Sequence, residues 1–428
     1  MADRIPVSRR EANPLEVPLS KNWQDVYRGY GIQPRWRGQG SIRRYFDQPE
    51  PHQRVMGTMR QALADPFKGI TTDGNVVPNL FPISHTGIST KPIKNAADAL
   101  LAALSDEAAK LLYPVDAPEW RLWTNAIAIW EMPGISLELM NPVQREAALA
   151  VLRASLSSGG FDTARKIMTV NQVLADMTGD TEGLGEWKYH FSLFGVPSMD
   201  EPWGWQLQGH HLIINFFILG DQVVISPAFM GAEPSHVDHG PHAGLHVFEE
   251  EERGGLALIN ALSSSQRSQA VLYRSMLSAD LPPPRRHPQD GRHVGGAFQD
   301  NRIVPYEGIS CESLTLGQRN ALRHLLKVHL GRLRPGHAEI HEADVWKHLQ
   351  ETRFAWIGGS EPGDAFYYKI QSPVILIEFD HHKGVFLDNE EPENFHPHVV
   401  MRTPNGNDYG RDLLRQHYEL YHRPAAKI

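Results

Sequence analysis

The chain has 428 residues, of which 41% are hydrophobic and 21% charged, and its formal net charge is −8. This composition is typical of a globular protein and argues against a disordered chain. No basic block favours nucleic acid, and no apolar run approaches the roughly 20 residues that span a bilayer. The N-terminal region lacks the apolar segment of a secretory signal, and the single cysteine, Cys311, fits a reducing compartment, so we expect a cytoplasmic protein.

Residues 1–50 are rich in Arg, Pro and Gly and show no periodicity, which predicts an irregular N-terminal arm. After this arm, several segments have apolar residues at helical spacing and therefore predict helices. The two best N-terminal signals are Asn141-Pro142 and Thr315 with Gln318 three residues later. The predicted helices cover residues 52–67, 95–112, 141–157, 163–175, 249–263, 264–277, 315–333, 338–352 and 411–422.

Two long apolar runs, residues 211–219 and 222–229, flank Gly220-Asp221 and predict a β-hairpin. Helices, this hairpin, more helices and a strand-rich C-terminal third then follow in order. That order indicates an α+β fold, with a mainly antiparallel sheet and flanking helices. Further strands are predicted at residues 187–194, 354–357, 366–371, 374–380 and 397–401.

His210 and His211 stand side by side where a strand is predicted. Neighbouring side chains of a strand point to opposite faces. At most one of the two can therefore be a direct metal ligand, and the other should support the ligand or the fold. The sequence leaves open which histidine takes which part.

Polar side chains also share one face of the predicted strand at residues 374–380, where Glu378 and Asp380 alternate with apolar residues. In the next predicted strand, His396, His398 and Arg402 share a face. If the two strands are antiparallel neighbours, these faces coincide. The alternative interpretation is a hydrogen-bonded histidine pair on an exposed turn, with the carboxylates paired to Arg402.

Together with His210 or His211, these residues predict a metal site. Imidazole and carboxylate ligands suit a divalent transition metal such as zinc, iron or manganese. Such a set leaves coordination positions open for water or substrate. Glu378 or Asp380 could then act as general base, and Arg402 could bind an anionic substrate group.

A second set of candidates surrounds the tryptophans. Arg121, Trp123 and Asn125 alternate, so in an extended segment they would share a face, where pairing of Arg121 with a carboxylate is favoured over a substrate contact. The candidate substrate-binding residues of this set are Arg121, Asn125, Trp203, Trp205 and Gln206.

Other histidines have less support. His236, His239 and His242 lie with Asp238 in a segment rich in glycine, which predicts a mobile, solvated loop rather than a metal site. His381 and His382 follow the predicted strand end and are expected in a loop. Glu233 is a weaker candidate ligand or base than the other two carboxylates.

These candidates predict a metal-dependent enzyme that acts on a small organic molecule, by hydrolysis or C–C bond cleavage with a metal-activated water. Three alternatives stay open. The weakest is acid–base catalysis without metal by Glu378 or Asp380 with a histidine, whose activity would survive a chelator. Iron at the same ligands would make a non-haem oxygenase, and a tryptophan-rich pocket without metal would make a non-catalytic small-molecule binding protein. We expect no nucleic-acid or membrane partner, and the sequence allows a homo-oligomer.

Several of these motifs, in this order, resemble the uncharacterised family catalogued as domain of unknown function 3500, over residues 50–425. The resemblance implies that residues 51–428 form one domain, and it brings no activity. His381-His382 and the histidines of residues 236–242 depart from the family pattern. The motifs that carry it are Trp120-Arg121-x-Trp123-x-Asn125, the segment 202–212, Gly231-Ala232-Glu233-Pro234, Glu378-Phe379-Asp380, and His398-x-x-x-Arg402-x-Pro404 with Asp408-x-Gly410.

Overall fold

The computed structural model describes residue 41 and residues 48–125, 132–237, 240–286 and 291–422. The predicted N-terminal arm, residues 1–50, lies almost wholly outside the described residues. Asp238 and His239 of the predicted histidine loop also lie outside them.

The helices of the described chain agree with most of the predicted ones. Both predicted N-caps form capping boxes, in which Asn141 pairs with Gln144 and Thr315 with Gln318. Three predicted helices extend too far, because those at 95–112, 264–277 and 338–352 end at Leu104, Ala270 and Lys347. The first two are followed by a 3-10 helix and by a strand, respectively. The helices are α1 (Pro49–Ala64), α2 (Lys91–Leu104), α3 (Pro142–Ser155), α4 (Ser158–Thr178), α5 (Glu249–Ala261), α6 (Ser264–Ala270), α7 (Leu316–Leu330), α8 (His337–Lys347) and α9 (Arg411–Tyr421).

The strands are more numerous than predicted, because several two-residue strands have no sequence signal. They are β1 (Leu112–Tyr113), β2 (Ile135–Ser136), β3 (Tyr189–Phe194), β4 (Trp203–Gly209), β5 (Leu212–Leu219), β6 (Gln222–Gly231), β7 (His236–Val237), β8 (Leu245–His246), β9 (Val271–Tyr273), β10 (Ile309–Ser310), β11 (Arg353–Gly358), β12 (Phe366–Gln371), β13 (Leu376–His382) and β14 (Glu393–Arg402).

Twelve of these strands form one sheet in the order β1-β3-β4-β5-β6-β14-β13-β12-β11-β10, with β2 on β3 and β9 on β11. Only β1–β3 and β9–β11 pair in parallel within the described sheet. The predicted α+β class with a mainly antiparallel sheet is therefore confirmed. The predicted hairpin is confirmed too, since Leu219 pairs with Gln222 across Gly220-Asp221.

The segment before that hairpin differs from the prediction. Gly209 pairs with Leu212, so His210 and His211 form a two-residue turn between β4 and β5 rather than part of a strand. The missed strand β4 is apolar on alternate positions but contains two glycines, which weaken the strand signal.

The two faces of the sheet are covered differently. The larger core lies on the face where α2–α5, α7 and α8 pack, and it contains Trp205, Phe216 and Phe379. Smaller apolar clusters lie on the other face, where Phe229 and Val400 pack against Trp120 and Tyr409. No helix in the described part of the chain is long and apolar enough to cross a membrane.

Candidate metal centre

The sheet brings the predicted site strands together. β13 and β14 are antiparallel neighbours, with Asp380 opposite His398, so the condition under which their polar faces coincide is met. On its other side β14 pairs with β6, where Gly231 lies opposite His398. The backbone N–H of Gly231 donates to the carbonyl of His211 at 2.8 Å. The β4–β5 turn is thereby held against the middle of β14.

Three histidine rings converge at this point, and we call them the triad: His211, His396 and His398. Their Nε2 atoms are 3.3 Å apart for His396–His211, 3.1 Å for His398–His211 and 3.0 Å for His398–His396. All three side chains are buried, with at most 5% of any residue exposed. Zinc–nitrogen bonds of about 2.0–2.1 Å place ligand atoms about 2.9 Å apart at octahedral angles and about 3.3–3.4 Å apart at tetrahedral angles. The observed spacing falls in this range.

The hydrogen bonding of His396 fixes its tautomer. Its Nδ1 lies 2.8 Å from the carbonyl oxygen of Lys383, which can only accept, so Nδ1 carries the proton. Nε2 then presents a lone pair to the other two rings, as a metal ligand requires. Burial lowers the pKa of all three histidines, so the rings are neutral near pH 7.

The two histidines of the β4–β5 turn differ in their contacts, but strand alternation does not explain the difference, because the pair is a turn and its rings stack. His211 supplies the triad ring and has a left-handed backbone, with φ of 62°, which is uncommon for a residue other than glycine. His210 stacks on it at 3.8 Å between ring centroids, and its Nδ1 lies 2.8 Å from Asn171 Oδ1. Burial lowers the pKa of His210 to about 3. His210 therefore packs against the ring of His211 and helps to hold its orientation.

A glycine makes room for two of the rings. A Cβ atom on Gly231 would lie 2.7 Å from Cδ2 of His398 and 3.1 Å from Cδ2 of His211. Both distances are shorter than ordinary carbon contacts. The small residue at this position of β6 is therefore a condition for the triad geometry.

Glu233 is buried rather than exposed at the end of β6. Its Oε1 accepts the backbone N–H groups of Val385, Phe386 and Leu387 at 2.9–3.1 Å. The same oxygen lies 3.8 Å from Nδ1 of His396. Glu233 thus fixes the loop behind His396 and places a carboxylate beside that ring.

The carboxylates of β13 are both engaged with one neighbouring segment, residues 291–296. Glu378 accepts the backbone N–H groups of Val294 at 2.8 Å and Gly295 at 2.7 Å, and the hydroxyl of Tyr367 at 2.7 Å. Asp380 accepts from the backbone N–H of Arg292 at 2.9 Å and from its Nε at 2.5 Å. Neither forms the salt bridge to Arg402 that the alternative interpretation proposed.

Arg402 is buried and fully paired, and so is not directed at the triad. Its Nε donates to Asp408 at 2.9 Å and its Nη2 donates to Asp300 at 2.6 Å. Arg121 donates to the other oxygen of Asp300 at 2.7 Å. This matches the carboxylate pairing favoured for Arg121, but Pro118–Arg121 is a 3-10 helix and not a strand.

The remaining substrate-binding candidates lie inside the core. Trp203 and Trp205 are fully buried, and their indole N–H groups donate to Ser198 and Ser155. Gln206 donates to the carbonyl of Trp120 at 3.0 Å. The carbonyl of Asn125 accepts from the N–H of His211 at 3.4 Å. These side chains offer a ligand almost no surface, although Asn125 touches the triad turn through its backbone.

Two more histidines lie near the triad, and the sequence did not predict either of them as a metal ligand. His382 belongs to β13 and is buried, and not in a loop as expected, with its ring centroid 3.8 Å from that of His398. His293 is fully buried in the segment 291–296, for which the sequence predicts no helix or strand. The glycines at 291, 295 and 296 were the available signal, because they allow close approach of the backbone.

His381 and the histidine loop lie elsewhere. His381 is also buried in β13, but its Nε2 points to Glu252 of α5, at 3.3 Å. His236 lies in the short hairpin of β7 and β8, opposite His246, and His242 is exposed between these strands. None of these rings contributes a ligand atom to the triad.

Fold and site together define an α+β protein with a buried tri-histidine cluster at the centre of a large sheet. The family model described as "Protein of unknown function (DUF3500)" matches residues 86–411, so the chain belongs to that family, as the motifs predicted. No curated protein and no solved structure matches the chain.

Proposed function

We propose that this protein is a metal-dependent enzyme acting on a small organic molecule, with a divalent transition metal bound by His211, His396 and His398. The observation that carries the proposal is the convergence of three buried Nε2 atoms at 3.0–3.3 Å. Hydrogen bonds alone cannot satisfy this triangle, since Nε2 of His396 has no proton to donate. At least one of the three contacts then sets two lone pairs or two N–H groups against each other. A cation would satisfy all three nitrogens.

Three protein ligands leave one or more positions for water and substrate, as in catalytic zinc sites. The metal would lower the pKa of its bound water to about 7 and so supply a nucleophile near neutral pH. This nucleophile could carry out hydrolysis or C–C bond cleavage. The expectations of a cytoplasmic location, a small-molecule substrate and no nucleic-acid partner belong to this proposal.

The ligand set favours zinc chemistry over the alternatives. Non-haem iron oxygenases typically use two histidines and one carboxylate, whereas the triad is all imidazole. A tryptophan-rich binding pocket without metal has less support, because Trp203 and Trp205 have 0% exposure.

The test is metal analysis of the protein purified without a histidine tag. We expect a stoichiometric transition metal, and we expect His211→Ala and His398→Ala each to lose it with unchanged circular dichroism. The matched control is His324→Ala, which alters an exposed histidine of α7 and should keep the metal. Full metal in both triad variants, or a folded and active protein in chelator, would refute the proposal.

A further inference from the structure

A second group of buried side chains lies beside the triad: His293, Asp380 and His382. One ligand atom from each lies within 4.8 Å of the others. All three are buried, with exposures of 0%, 0% and 5%. The ring of His382 connects the two groups, since its centroid is 3.8 Å from that of His398 and 5.5 Å from that of His396.

The imidazoles of this group lack the partners that buried polar atoms normally have. Neither ring nitrogen of His293 has a hydrogen-bond partner among the described residues. Nε2 of His382 lies 3.1 Å from Oδ2 of Asp380 but forms no hydrogen bond with it. Three such nitrogens in a buried site are costly unless something else binds them.

Asp380 can still act as a ligand despite its contacts with Arg292. Its Oδ1 receives the guanidinium and its Oδ2 accepts one backbone N–H. An ionised carboxylate oxygen has two lone pairs, so Oδ2 keeps one for a cation. Ligating carboxylates are commonly hydrogen-bonded in this way by residues around the metal.

We propose that His293, Asp380 and His382 bind a second divalent transition metal ion next to the triad ion. This inference rests on the proposed function in that it takes the triad as the first site. Ligand bonds of about 2.0–2.2 Å place ligand atoms about 2.9–3.6 Å apart. The three ligand atoms, all within 4.8 Å of one another, can reach this spacing by small side-chain movements. Two adjacent ions would bind the attacking water and a substrate oxygen together, which suits a substrate with an ester-like or phosphate-like group.

The experiment is a zinc titration of the metal-free full-length chain, followed by metal analysis. Another histidine group, Glu201, His417 and His422, could also bind zinc and must be removed first. In it, Nε2 of His417 lies 3.2 Å from both Glu201 Oε2 and His422 Nε2. The background is therefore His417→Gln with His422→Gln. This background should bind about two ions, and adding His293→Ala or His382→Ala should leave about one.

The triad variant His396→Ala should keep about one ion, at the second site, and so separates this inference from the proposed function. About one ion in the background, unchanged by His293→Ala, would overturn the second site and leave the first intact. No bound ion would refute both. A folded His293→Ala variant that loses all its zinc would also overturn the inference, because the two sites would then be one.

Spectroscopy checks proximity without any substitution at the site, which covers the case that His382→Ala does not fold. The background chain loaded with cobalt(II) should give a spin-coupled signal at two equivalents and an uncoupled signal at one. An uncoupled spectrum at full loading would overturn the proposal.

Discussion

At the scale of single residues, Gly231 determines how closely the triad rings can approach. A Cβ at this position would meet His398 at 2.7 Å and His211 at 3.1 Å. We predict that Gly231→Ala weakens metal binding about 10- to 100-fold, the usual effect of disturbing residues around a metal site. Competition with a chromogenic chelator measures this. Gly317→Ala is the control, since nothing lies within 4 Å of its Cβ position, and equal affinities in the two variants would contradict the prediction.

Arg402 gives a second prediction at this scale. It is fully buried between Asp300 and Asp408. Its removal leaves the buried Asp408 without its cation and Asp300 with Arg121 alone. We expect Arg402→Met to lower the free energy of unfolding by about 3 kcal/mol. A denaturant titration measures this loss.

The surface residue Arg253, paired with Glu249 and Glu250 on α5, is the control. Arg253→Met should cost within about 1 kcal/mol. The substrate-binding interpretation of Arg402 expects the opposite pattern, a raised KM at unchanged stability. That result would show that the paired arginine contacts substrate.

At the scale of elements, hydrogen bonds to Glu378 hold the segment 291–296 against β13. The carboxylate accepts two backbone N–H groups and the Tyr367 hydroxyl. In Glu378→Gln an amide nitrogen replaces one acceptor, and a donor then faces a donor. We predict faster hydrogen exchange at Val294 and Gly295, with little change in the triad metal.

The exchange experiment compares this variant with Glu312→Gln, which alters an exposed glutamate before α7. The control should leave exchange in residues 291–296 unchanged. Equal protection in both variants would mean that the segment is held by other contacts, among them those of Arg292 with Met276 and Asp380.

At the scale of the whole molecule, the main apolar core contains none of the three triad histidines. The main cluster lies between the sheet and its helices, with residues such as Leu100, Trp205 and Phe379. We predict that metal-free protein stays folded but unfolds at a lower temperature. A bound metal at one hundred times its Kd contributes about 2.7 kcal/mol.

Calorimetry at a fixed scan rate, with and without chelator, measures this shift. His398→Ala should show the lower unfolding temperature with or without metal, because it lacks the site. An unchanged unfolding temperature on metal removal from the unaltered chain would contradict metal binding to the native state.

The sequence by itself determined the elements that depend on local patterns. The apolar pattern predicted β12 in full and the core of β13 and β14. It left open that the last two strands are antiparallel neighbours, which they are. Capping residues located the starts of α3 and α7, and Gly220-Asp221 located the β5–β6 turn. Side-chain alternation predicted opposite directions for His210 and His211, but the pair forms a turn in which the two rings stack.

Only the tertiary structure decided which polar groups face one another. Arg402 finds Asp300 about a hundred residues earlier in the chain, and Asp380 finds Arg292 at a similar separation. His293 joins the site through contacts of its segment with β13, which no local period encodes. The physical reason is that local periodicity fixes the direction of a side chain along its own element, whereas its partner is set by the register and packing of distant elements.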